Sequence, residues 1–248
     1  MKRINWYIIL GGGGSLVALS LILYLIQFAI FHRVQDTLFY IFQDLAFVPI
    51  EVLLVTLIIS GLLNMREKRF RLEKLNMVIG TFFSEIGTRL IAYFSDFDPG
   101  LDKIKKNLIV TNNWSDQEFL NVSKSLRNYN YTVEIREVNL GDLQTFLIGR
   151  RDFLLRLLEN PVLLEHETFT ELLQAVFHLT EELSTREDLK KLPDSDYVHI
   201  AGDIKRAYIL LVYEWLNYMK HLKDNYPYLF SLAMRTNPFD QNASPIVR

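Results

Sequence analysis

The chain contains no cysteine. That excludes a disulfide framework, thiolate metal ligands and cysteine nucleophiles, and it fits a reducing compartment. A surplus of positive charge is missing too: 27 Lys and Arg stand against 29 Asp and Glu, for a formal net charge of −2. A general nucleic-acid binder needs a clustered basic surface, so no nucleic-acid partner is expected. The sequence has no G-x-S-x-G elbow, no H-E-x-x-H, no Walker lysine loop and no dinucleotide fingerprint after a strand. Without these signatures no catalysis is evident, and no cofactor is predicted. Strand-like alternation is confined to Tyr131–Val138, where Val133 and Ile135 alternate with polar neighbours. That spacing predicts one short extended segment, for which no partner strand is evident.

Charge is nearly absent from the first 64 residues, whereas the remainder is rich in Glu, Lys, Arg and Asp. Two long apolar runs fill the charge-poor part. The first, from Ile4 to Phe31, spans about 40 Å as a helix, more than the hydrocarbon core of a bilayer requires. It is longer than the apolar region of a signal peptide, and no small-residue cleavage pattern precedes His32. Trp6 and Tyr7 suit the headgroup level. Within this run lies GGGGS, Gly11 to Ser15. In engineered chains the same letters make a flexible linker. In a membrane helix, Gly11 with Ser15 and Gly14 with Ala18 are four apart and form a small-residue face for close helix packing.

The second run, TLFYIFQDLAFVPIEVLLVTLIISGLLN from Thr37 to Asn64, is followed by Arg66, Lys68, Arg69, Arg71 and Lys74. Positive residues concentrate in cytoplasmic flanks, and Lys2 and Arg3 precede the first run. Together these predict a two-helix transmembrane hairpin, with helices at about 4–31 and 38–64 and both termini cytoplasmic. The basic group is also the candidate contact with anionic lipid headgroups.

Asp44 and Glu51 interrupt the second run. Seven residues apart, they share one helix face about 10 Å apart, and Glu51 lies about 9 Å inside the apolar layer. A charged carboxylate at that depth costs on the order of 3 kcal/mol on insertion scales. A ring of such acids in a homo-oligomer would favour cations. The alternative is a protonated Glu51 bonded to Gln27, or to the carbonyl near Leu45 that Pro49 frees, with Asp44 at the outer interface.

Beyond the membrane segments, helical periodicity dominates. Leu72, Leu75, Ile79, Phe82 and Ile86 predict a packed helix running on to about Tyr93, its stripe facing either an oligomer seam or the protein's own helices. Two modest helices are expected between 101 and 130, with Ser115 and Glu118 as a capping box. One helix is expected from Asn139 to Leu158, and another through Leu183 capped by Thr168 and Glu171. The last long helix is expected from about Asp196 to Lys223. Residues 65–236 thus predict a cytosolic helical bundle, and 237–248 an extended or disordered tail, giving an all-α fold. The sequons at Asn113, Asn121 and Asn130 fall in this cytosolic part, so glycosylation is not expected.

Within the bundle, His178, Glu182, Glu214 and His221 are candidate metal ligands. Di-metal helical bundles use Glu and Glu-x-x-His on inward faces. Here the order is reversed, as His178-x-x-Glu181, and a solvated polar face is the alternative. Arg150 and Arg151 could grip an anion or form a solvated edge. Tyr208, Tyr213, Trp215 and Tyr218 are expected to fill the core.

The sequence therefore supports first an integral membrane protein anchoring a cytosolic interaction or sensing domain, whose partners are the lipid bilayer and a cytosolic protein or ligand. A homo-oligomeric cation channel lined by Asp44 and Glu51 is the rival, and a metal-dependent membrane enzyme the third reading.

Overall fold

The computed structural model describes residues 6–32, 34–161, 163 and 166–247. The chain divides into two compact units, Met1–Glu67 and Lys68–Arg248. The secondary structure is all-α, with no strand among the described residues.

The first unit contains helix α1, Trp6–Phe31, and the leading part of helix α2, Val34–Phe82. GGGGS lies inside α1 as helix. His32 ends α1 with a positive φ of 51° and donates its backbone N–H to Phe28 O at 3.0 Å. That left-handed residue turns the chain back and satisfies one of the last helix carbonyls. Pro49 sits inside α2 without terminating it.

Every described side chain from Leu38 to Lys68 is exposed. Among the described residues, one helix, starting at Leu38, is long and apolar enough to cross a membrane. In α1 the apolar helix found among the described residues, Ala18–Ile30, is shorter than a full crossing, so the expected two-span hairpin is only partly visible.

The second unit begins within α2 and continues through a π-helical turn, Phe83–Gly87, into α3, Thr88–Ser95. The turn has a steric basis. A Cβ on Gly87 would meet the Phe83 ring at 2.6 Å and the Phe82 ring at 2.8 Å, so only glycine lets both rings fold against the helix. The expected stripe is core: Leu75, Ile79, Phe82 and Ile86 are buried, and Phe82 meets Phe169 edge-on at 5.4 Å. It therefore faces the domain's own helices and not an oligomer seam.

Two short 3-10 turns, Leu101–Lys103 and Lys105–Leu108, stand where the first of the two modest helices was expected. Helix α4, Asp116–Arg127, carries the Ser115–Glu118 capping box as anticipated. Tyr131–Val138 is not a strand; the segment bonds to the rest through Glu134 N–H to Phe97 O, and Tyr131 is buried against Tyr208. With no partner strand, its alternating residues pack individually.

The expected helix from Asn139 to Leu158 is two, α5 Leu140–Ile148 and α6 Arg151–Leu158. Helix α7 is Glu167–Ser184, and its N-cap is the His166 ring rather than Thr168: Nδ1 accepts the Phe169 N–H. Helix α8, Asp194–Asn225, packs along α7 and contacts α3, α4 and the π-helical turn; α9, Pro227–Arg235, closes against it.

The chain beyond α9 is not a free tail at its start. Asn237 and Phe239 are buried, Asn237 Nδ2 donates to Leu108 O at 2.8 Å, and Phe239 lies edge-on to Trp215 at 5.1 Å.

Candidate functional site

The α7–α8 pair is held together by an apolar seam. Phe169, Leu172, Val176, Leu179 and Leu183 of α7 face Ile200, Ile204, Ala207 and Leu211 of α8, and all are buried. At the edge of that seam, where α7 ends and α8 begins, each helix presents a histidine and a carboxylate one turn apart: His178 with Glu182, and His199 with Asp203. Spacing of four puts both members of each pair on one face.

The four side chains converge. His199 Nε2 lies 3.4 Å from Asp203 Oδ2 and 3.5 Å from Glu182 Oε2. His178 Nε2 lies 3.5 Å from Asp203 Oδ2 and 3.8 Å from Glu182 Oε1. The imidazoles are about half exposed, at 46% and 52%, whereas the Asp203 side chain is 4% exposed. Asp203 Oδ2 has no hydrogen-bond partner. Its other oxygen, Oδ1, lies 3.5 Å from the Arg206 guanidinium.

Arg186 fixes the rim of the cluster. It grips Asp196 with two hydrogen bonds of 2.7 Å and reaches Glu182 Oε2 at 2.8 Å and the Glu182 carbonyl. Paired with Arg186, the carboxyls of Glu182 and Asp196 are held below their ordinary range. Both stay anionic at neutral pH, and Glu182 is oriented toward the two imidazoles. A cavity of about 480 Å³ opens beside the cluster, lined by His178, Arg206, Glu171, Gln174 and Ile209 among others.

The structure thus brings together two of the four expected metal residues and separates the others. Glu214 is 11 positions beyond Asp203 on α8, about 16 Å along the axis, and His221 is farther still. Glu214 is buried near His166 and Thr168, at the opposite end of α7. His221 faces Tyr226 and Asn225, and burial pushes its pKa down. The set His178, Glu182, Glu214 and His221 therefore cannot share one ion. The residues that the structure brings to His178 and Glu182 are His199 and Asp203, and the signal for them was present: an acid flanked by the apolar positions Ile200, Ile204 and Ala207, one turn from a histidine.

Of the other expected residues, Arg151 pairs with Glu181 at 2.7 Å, and Arg150 lies 3.6 Å from Glu85, so both are taken up by the domain's own acids. Tyr208 and Trp215 are core, while Tyr213 and Tyr218 are half-buried. In the first unit, the Tyr24 hydroxyl donates to Asp44 at 3.3 Å across α1 and α2. Glu51 is exposed, and among the described residues no side-chain bond to it is found, whether from Gln27 or from another residue. Ser15 and Ala18 are exposed, and the surroundings of Gly11 and Gly14 lie outside the described residues, as do the side chains of Arg69 and Arg71. Arg66, Lys68 and Lys74 are exposed, Lys74 over the Phe70 ring at 4.5 Å.

Comparison with known proteins gives a consistent picture of kinship. The family described as "Uncharacterized protein MJ1433, C-terminal helical domain" matches residues 71–235, and that described as "MJ1433, N-terminal helical domain" matches residues 2–63. A relative from Methanocaldococcus jannaschii, named "Uncharacterized protein MJ1433", is 50% identical over 228 residues, which is 92% of each chain. No solved structure matches.

Proposed function

The chain belongs to the MJ1433 family, and from its own residues we propose that it is an integral membrane protein whose C-terminal helical domain senses a ligand at the α7–α8 cluster. One observation carries the membrane part: the exposed, largely apolar surface of α2 from Leu38 to Leu63. Soluble monomers rarely expose contiguous apolar patches beyond a few hundred Å², and this one is interrupted only by Asp44, Glu51 and a few small or polar residues. Lipid covers it; α1 supplies the second span of a hairpin, with Gly11, Gly14, Ser15 and Ala18 as its small-residue packing positions. Arg66, Lys68, Arg69, Arg71 and Lys74 then lie at the inner headgroups, with both termini cytoplasmic.

Expressed at native levels, the protein is expected in the membrane pellet and to stay there through alkaline carbonate washing. A reporter fused after Arg248 is expected to read a cytoplasmic location. Release into the carbonate supernatant would end the membrane reading, and an external reporter signal would reverse the topology.

The unpaired, exposed Glu51 favours a second reading, a homo-oligomer conducting cations along an acid-lined path. For a module that only anchors and senses, purified protein in liposomes is expected to give no cation flux. Flux abolished by Glu51→Gln would replace the anchoring role with conduction.

A further inference from the structure

We propose that His178, Glu182, His199 and Asp203 form a binding site for one divalent first-row transition-metal ion, with zinc as the best-fitting ion. This gives the sensing domain its ligand, and it rests on the sensing reading only for its purpose: the site stands on its own geometry whether or not α1 and α2 enter a bilayer.

The distances carry the inference. Zinc binds imidazole nitrogen and carboxylate oxygen at about 2.0–2.2 Å, so in a tetrahedral site neighbouring donor atoms stand about 3.3–3.6 Å apart. Asp203 Oδ2 stands 3.4 and 3.5 Å from the His199 and His178 Nε2 atoms and Glu182 Oε2 stands 3.5 Å from His199, while His178 lies 3.8 Å from the other Glu182 oxygen, Oε1. None of these contacts is a hydrogen bond to Asp203 Oδ2, and the three shorter ones match the spacing of atoms that share an ion.

The second observation is independent of the spacing. Asp203 Oδ2 is buried, lacks a hydrogen bond and is aimed between the two imidazoles. A buried carboxylate oxygen without a hydrogen bond is costly, and an ion shared with the two imidazoles would satisfy it. Glu182, His199 and Asp203 alone offer donors that all lie within 4.8 Å of one another.

The surroundings suit a metal as well. Arg186 orients Glu182, and Arg206 stands against the outer oxygen of Asp203, the outer-shell support that fixes ligating carboxylates. Two nitrogen and two oxygen donors select a borderline ion such as Zn²⁺ or Fe²⁺ over Ca²⁺ or Mg²⁺, which take oxygen donors. The half-exposed imidazoles leave the site in contact with solvent, so the ion can exchange. Because the donors come in pairs from α7 and α8, loading ties the end of one helix to the start of the next. A metal signal would thus be read as a change in the stiffness of the domain's central helix pair.

The test uses untagged full-length protein in detergent, stripped with chelator and titrated with ZnCl₂ by calorimetry. One equivalent is expected to bind. His199→Ala and Asp203→Asn are each expected to weaken binding about 100-fold or more, since even outer-shell changes cost 10–100-fold. Glu214→Gln and His221→Ala are expected to leave it within about twofold. Cobalt loading is expected to give the intense visible band of four-coordinate Co²⁺ in the wild type and to lose it in His199→Ala. No stoichiometric binding, or binding indifferent to His199→Ala, would overturn the site. Should Asp203→Asn lose helicity, His199→Ala at its half-exposed position decides alone. Carbonate extraction is expected to be identical in every variant, so failure of the metal site and failure of membrane anchoring read out separately.

Discussion

Replacing Phe239 with alanine is expected to destabilise the C-terminal unit by about 3–5 kcal/mol, the cost of emptying a buried aromatic site. The residue stands past the last helix, in a stretch with two prolines and no periodicity. Yet it is 2% exposed, and its ring meets Trp215 of α8 edge-on at 5.1 Å. Asn237 holds the segment in place from both sides: its Nδ2 donates to Leu108 O at 2.8 Å, and its Oδ1 accepts the Phe239 N–H at 2.9 Å. The alanine variant removes a lid from the α8 core and leaves the indole facing a void. Truncation after Thr236 is expected to cost at least as much, whereas truncation after Gln241 removes no residue that is described as buried and is expected to cost little. Denaturant unfolding of the full chain in detergent, followed by tryptophan fluorescence, measures all three. A loss below about 1 kcal/mol for Phe239→Ala, or equal losses for the two truncations, would show that the segment is not part of the core.

The same segment shows why some of this molecule was legible in its sequence and some was not. Helices α7 and α8 and the Leu75–Ile86 stripe announce themselves because a helix repeats its buried face every three or four residues. The α4 capping box was legible for the same reason: Ser115 and Glu118 satisfy each other's backbone within one turn. Phe239 has no such repetition, since a lone aromatic in a turn is buried only by what lies across from it. The break between Ile148 and Arg151 is hidden likewise, because the apolar spacing runs through it unbroken.

The candidate site falls between these cases. Spacing marks His178 with Glu182, and equally marks Glu214 with His221, but it says nothing about which turn of α8 faces which turn of α7. The helices run antiparallel, so the end of α7 meets the start of α8, and His199 and Asp203 complete the cluster. Glu214 meets the opposite end of α7. Two polar loci that look like one in sequence are therefore separate: Asp203 stands between two imidazoles, whereas Glu214 is buried beside the Thr168 hydroxyl, the His166 ring and the Asn217 amide.

That difference makes Glu214 a source of pH dependence. Its side chain is 1% exposed, and Oε1 has no hydrogen-bond partner. Burial raises the pKa of its carboxyl, more than the Thr168 hydroxyl, the nearby His166 ring and the Asn217 amide bring it down. The folded protein therefore holds a proton on Glu214 at pH values where the unfolded chain, near an ordinary 4.5, has released it. Stability falls with rising pH wherever the native state binds more protons, by at most about 1.4 kcal/mol per pH unit for one group. The contribution is thus complete below about pH 4.5 and is lost as pH climbs through the folded-state value. Glu182 and Asp196 act in the opposite sense, their lowered pKa values contributing stability that acid removes, so the wild-type profile alone would mix the effects. Glu214→Gln isolates this one: it keeps the shape and cannot ionise. Wild type and variant are expected to differ by a constant below pH 4.5, the difference then shifting steadily in favour of glutamine as pH rises. The pH at which that shift levels off, read from melting temperatures across pH 4 to 8, reports the Glu214 pKa inside the folded protein. An offset that stays flat over the whole range would mean that Glu214 is ionised in its site, with a partner strong enough to offset its burial.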